Sequence, residues 1–157
     1  MTEYTKEQQA EHRRIFADAL ESGRYKQCQG TLTTPKNEDR GHPDATHCCL
    51  GVATEEAITA GVLVTRTNLE DAVEYHWGLN NYMIDLLPEP VRHWLGFASS
   101  SGHLREAIVL ESPDEDEGFT ATNLIDLNDD VGWGFAEIAR LVREDKIALE
   151  GEVFSDD

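Results

Sequence analysis

Basic residues are scarce in this chain. Thirteen lysines and arginines (13) face 31 aspartates and glutamates, giving a net charge of −18 over 157 residues. That imbalance argues against holding nucleic acid by its phosphates, which takes a basic surface. It argues equally against adhesion to an anionic membrane. Long apolar runs are lacking too: no stretch approaches a membrane span, and no signal-peptide core follows Met1. The expectation is therefore a cytoplasmic chain. Cysteine is limited to Cys28, Cys48 and Cys49. An odd number in a cytoplasmic setting reads as free thiols, and adjacent cysteines such as Cys48 and Cys49 rarely bridge each other. No internal repeat is visible, which excludes solenoids.

What remains is 39% hydrophobic, enough for a globular domain with a core, expected over residues 1–157. The surplus acid favours solubility and, for a protein partner, one with a basic face. Imitation of DNA is the extreme form of that idea, and a plain solvated acidic surface is its simpler form.

The chain is organised around Thr46-His47-Cys48-Cys49-Leu50-Gly51-Val52-Ala53. A helix is predicted over Ala45 to Ala60, capped by Asp44 or Thr46, with small residues at Gly51, Ala53 and Ala57 that admit a close neighbour. Ahead of it, Thr5 and Gln8 form a capping box for a helix ending at Gly23. Tyr25 to Leu32 reads as a strand, and Thr33 to Ala45, with Pro35, Asn37, Gly41 and Pro43, as a mobile loop. After it, short apolar runs from Val62 to Tyr82 predict a small antiparallel sheet or hairpin. Pro88 and Pro90 open a short helix closed by Gly96. Leu104 to Leu110 is ambiguous between strand and helix. Thr122 caps a short helix broken by Asn128-Asp129-Asp130, and Phe135, Ile138, Ala139 and Val142 mark a last helix. An acidic loop at 112–118 and an acidic tail at 150–157 are solvated. The fold class is α+β: about three main helices, two short ones and a small antiparallel sheet.

Several blocks recur together: Ala19-Leu20-Glu21-Ser22-Gly23, Tyr25-Lys26-Gln27, Gly30, Leu32, Cys48-Cys49-Leu50-Gly51-Val52, Leu87-Pro88, Val91, Trp94-Leu95-Gly96, Leu127-Asn128-Asp129, Phe135 and Glu137-Ile138-Ala139. This frame, from Phe16 to Val142, resembles a family of small accessory proteins encoded by phages and prophages of actinobacteria. The resemblance implies a phage origin and a non-structural role in the host cytoplasm. It carries over no catalytic residue.

Four chemistries are candidates. Cys48 or Cys49 at a helix N-terminus, with His47, His42 or His93 as base and Asn128 or Asp129 orienting it, would make a small cysteine hydrolase; two buried thiols are the simpler reading. Cys28, His42, His47 and Cys48 contain enough zinc ligands, but in no recognised spacing. Asp126, Asn128, Asp130 and Glu137 fall at positions 1, 3, 5 and 12 of a calcium loop, with Val131 where glycine is required. Trp133, Trp77, Tyr75, Tyr82 and Trp94 are candidate walls of an aromatic pocket, with Arg66, Arg92 and Lys26 as phosphate holders for a small nucleotide. Gly132 and Gly134 would leave Trp133 exposed on a mobile turn. Asp114, Glu115, Asp116 and Glu117 are the candidate contacts for a basic protein surface. The preferred expectation is a binding protein that needs no cofactor and engages a host protein or a small nucleotide, altering host physiology or defence.

Overall fold

A computed structural model of the chain describes residues 3–110 and 118–152. The first helix, α1 (Lys6–Glu21), begins as its sequence dictates. The Thr5 hydroxyl accepts the Gln8 N–H, and the Gln8 side chain accepts the Thr5 N–H. Three two-residue strands follow: β1 (Lys26–Gln27), β2 (Thr33–Thr34) and β3 (Thr46–His47). β3 lies in the middle, parallel to β1 and antiparallel to β2. The predicted strand from Tyr25 to Leu32 is thus cut short, because Gly30 turns at φ 90°. The expected loop after it is ordered by strand β2, by a 3-10 turn at Glu38–Arg40 and by an Asn37–His42 bridge.

Helix α2 (Cys49–Thr59) starts four residues later than predicted, since Thr46 and His47 belong to β3. Its residues Cys49 to Thr54 are all buried, as a helix that is apolar all round must be. An antiparallel sheet follows in the expected place, with strands β4 (Thr65–Asn68), β5 (Val73–Trp77) and β6 (Asn81–Met83) in that order. Val62-Leu63-Val64 lies outside it. Helix α3 (Glu89–Leu95) is bounded by Pro88 and by Gly96 in the left-handed conformation, as predicted. Strands β7 (His103–Leu110) and β8 (Phe119–Asn123) pair antiparallel, resolving the ambiguity at Leu104 in favour of a strand. A wide π-type turn over Asp126–Val131 and helix α4 (Phe135–Arg143) complete the fold.

Phe16, Leu32, Leu50, Val52, Trp94, Leu95, Leu124, Leu127 and Ile138 belong to one buried core around α2. Helix α1 packs on α2, α3 and α4. It also closes the end of α3. The backbone carbonyls of His93, Trp94 and Leu95 accept hydrogen bonds from Gln9 Nε2 (2.8 Å), His12 Nδ1 (2.6 Å) and Arg13 Nη1 (2.7 Å). Those of Trp94 and Leu95 are carbonyls of the kind a helix C-terminus leaves without intrahelical partners, while that of His93 also accepts the Gly96 N–H. His12 further stacks on Trp94 at 4.3 Å.

Candidate functional site

Two places invite chemistry: the start of α2, and the end of the sheet that carries Trp77. At the first, Cys48 occupies the cap position of α2 without a side-chain hydrogen bond. The cap comes from a distance. Asn128 Oδ1 accepts the Cys49 N–H at 3.1 Å and Gln27 Nε2 at 2.8 Å. Its Nδ2 donates to the Cys28 carbonyl (2.9 Å) and to Asp129 Oδ1 (2.7 Å). Gln27 Nε2 also reaches the Trp133 carbonyl at 2.7 Å. Asn128 is fully buried, so its bonds are made away from competing water. One turn on, a Cβ at Gly51 would lie 1.8 Å from the Leu32 carbonyl oxygen, so only glycine fits there. That same oxygen accepts the Cys48 N–H at 2.9 Å.

Beside this junction a chain of side chains runs from an exposed ion pair into the interior. Arg66 holds the Glu55 carboxylate with two prongs, at 2.6 and 2.8 Å. The Tyr75 hydroxyl donates to Glu55 Oε2 at 2.7 Å and lies 2.6 Å from Thr33 Oγ1, which lies 2.9 Å from His47 Nδ1. The carboxylate only accepts, and each hydroxyl has a single proton. The chain therefore has one direction: His47 Nδ1–H to Thr33, Thr33 to Tyr75, Tyr75 to Glu55. Burial pushes the Glu55 carboxyl up, but the bonds from Arg66 and Tyr75 outweigh it and hold its pKa below the usual carboxylate value. Burial lowers the pKa of His47 and raises that of Tyr75.

These contacts correct the candidate catalytic set. The ring of His47 is turned to Thr33 rather than to a thiol. Burial pushes the Cys48 thiol up to about 12 and that of Cys49 well above its ordinary value. Thiolate is the nucleophile, so neither cysteine is activated for attack. Asn128 caps a helix instead of orienting a histidine. His93 faces Glu150 at 3.1 Å, and His42 lies in the bridge to Asn37.

The candidate calcium loop separates as well. Asp126 Oδ2 accepts the N–H and hydroxyl of Thr122, Asn128 points into the α2 junction, and Asp130 is exposed. Glu137 accepts the Gly134 N–H at the start of α4 and so caps that helix. Asn123, not Thr122, caps the turn at Asp126. Among the described residues no group of three or more His, Cys, Asp or Glu side chains is placed to hold a metal, which also disperses Cys28, His42, His47 and Cys48.

The aromatic candidates part company too. Tyr75 is 0% exposed and belongs to the core. Trp133 is half-buried against that core; its N–H bonds the Leu127 carbonyl and its own carbonyl takes Gln27, so it is held rather than mobile. Arg66 is committed to Glu55, and Arg92 to Glu89, Glu150 and the Phe97 carbonyl. Asp114 to Glu117 lie outside the described residues.

Trp77, of that set, lines a surface cavity. The groove, ≈ 510 Å³, is walled by Tyr4, Val62, Leu63, Trp77, Glu89 and Pro90. A second hollow of ≈ 270 Å³ continues past Leu63 and Trp77 toward Thr65 and His76. Leu63, a lining residue, and Leu79, two residues past Trp77 in the turn between β5 and β6, are each 89% exposed. Leu63 escaped the sequence reading because Val62-Leu63-Val64 looks like strand core. The strand starts only at Thr65, and the signal available was the glycine stop at Gly61 followed directly by the apolar triplet.

Residues 8–146 match the model of a domain of unknown function, DUF8296. The chain belongs to this family. No curated protein and no solved structure matches it. The DUF8296 match spans Gln27, Gly51, Asn128 and Trp77, whereas Tyr4 of the groove precedes it. Among the described residues, no helix is long and apolar enough to cross a membrane.

Proposed function

We propose that this chain is an accessory protein of phage type that acts in the host cytoplasm by binding a host protein, with the Trp77 groove as its contact face. The observation that carries the reading is the groove itself. Single exposed leucines are ordinary on protein surfaces. Leu63, almost wholly exposed, lines a ≈ 510 Å³ hollow together with the half-buried Trp77, and Leu79, equally exposed, follows Trp77 by two residues in the β5–β6 turn; exposed apolar surface of this kind marks interaction sites. The net charge of −18 supports a partner with a basic face, and the phage-type frame supports a role in host physiology or defence.

The test is affinity capture from an actinobacterial lysate at physiological salt. Wild type is compared with a Leu63→Ser/Leu79→Ser variant, and bound proteins are read by mass spectrometry. The reading expects a stoichiometric partner on wild type that is depleted on the variant. A partner captured equally by both would overturn it.

A further inference from the structure

We infer that the Trp77 groove seats a lysine or arginine side chain, so that the occupant is a basic segment with apolar flanks. The inference rests on the groove being the contact face. Its lining supplies each part such a side chain needs. Tyr4 and Trp77 offer two ring systems, and Val62, Leu63 and Pro90 offer aliphatic walls. Among the described residues, Glu89 is the one charged lining residue, and no lysine or arginine lines the groove. A cationic side chain lays its stem along apolar surface and its head over an aromatic face. Glu89 already accepts from Arg92, which is also anchored by Glu150 and the Phe97 carbonyl. The lining rings, of which Tyr4 also packs against the rings of His12 and His93, therefore make the seat, and the net charge of −18 supplies the field. The volume exceeds one side chain, and the hollow past Trp77 gives neighbouring apolar residues a place. The competing occupants fit worse. A second copy brings the same −18, and an anionic bilayer is repelled by it.

The experiment follows the indole N–H resonances of Trp77, Trp94 and Trp133 in the full chain. The protein is titrated with a short leucine–lysine peptide and with the same peptide carrying norleucine for lysine. The lysine peptide is expected to shift the Trp77 resonance with about tenfold higher affinity than the norleucine peptide. Salt should reduce the difference, and Trp77→Leu, read on the peptide's own resonances, should abolish it. Tyr4→Leu, placed ahead of the first helix, gives the same reading if the Trp77 variant fails to fold. Equal affinities for the two peptides would overturn the cation seat and leave the groove reading standing. Absence of any Trp77 shift with either peptide, or a shift at Trp133 instead, would overturn both.

Discussion

The start of α2 and the Trp77 end of the sheet are opposites. The first is buried and polar, and it is held by side chains from distant parts of the chain: Asn128 and Gln27 on the Cys49 N–H and the Cys28 and Trp133 carbonyls, and Leu32 pressed against Gly51. The second is open and apolar, and Leu63 and Leu79 make little use of the fold they sit on. Histidine, adjacent cysteines and asparagine beside a helix N-terminus look like chemistry in the sequence. In the structure they are what fixes the central helix. The region with little chemical signature is the one left available to a partner.

Variants at the two regions should therefore behave differently, and the largest effect belongs to Gly51→Ala. A methyl group 1.8 Å from the Leu32 carbonyl oxygen forces the helix off its neighbour. A loss of about 3 kcal/mol or more is expected in urea unfolding. Wild-type stability in that variant would mean the close approach is not real. Asn128→Ala comes next, at about 3 kcal/mol, because it strands the Cys49 N–H and the Cys28 carbonyl in the interior. Its loss of stability should appear with no change in the Trp77 groove, read from the Trp77 indole resonance.

A smaller effect is carried by His47. Its pKa in the folded state lies below its ordinary value of 6.5, so below that pH the unfolded chain takes up a proton that the folded chain does not. The stability this provides is present above pH 6.5 and is lost as the pH falls toward the folded value, with a slope of at most about 1.4 kcal/mol per pH unit. Glu55, whose folded pKa is also lowered, adds a loss that begins lower, below its ordinary 4.5. Protonation of the surplus carboxylates relieves repulsion and works in the other direction. The decisive quantity is thus the difference between wild type and His47→Gln, which should narrow between pH 6.5 and 5. A constant difference across that range would remove the histidine from the account.

Thiol chemistry sorts the regions without any mutation. Cys28 is half-buried, while Cys48 and Cys49 are buried with raised pKa values. Mild alkylation of the folded protein should label Cys28 first and leave the pair until urea opens the core. Rapid labelling of Cys48 would restore the nucleophile reading. The smallest effect on stability is expected from Leu63→Ser/Leu79→Ser, within about 0.5 kcal/mol, since both side chains are almost wholly exposed.

The elements that were legible in the sequence carry local instructions. The Thr5–Gln8 capping box, the Pro88 and Gly96 bounds of α3 and the apolar runs at β5 and β6 are all written within a few residues of where they act. Gly51 was also legible as a place of close approach, although not its neighbour Leu32. What was missed depends on separation. The cap of α2 comes from Asn128, and the partner of His47 comes from Thr33. No spacing rule links such pairs. The tight turn at Gly30 ended a strand whose composition would have carried it to Leu32. The groove was half legible: Trp77 stood out by residue type, while Tyr4, Leu63 and Pro90 join it only through the fold.

The most direct test of the account is the paired measurement of thermal midpoint and partner capture on the Leu63→Ser/Leu79→Ser variant. The account predicts a midpoint within a few degrees of wild type together with loss of the captured partner. An unchanged partner on a variant that has lost both exposed leucines would contradict it.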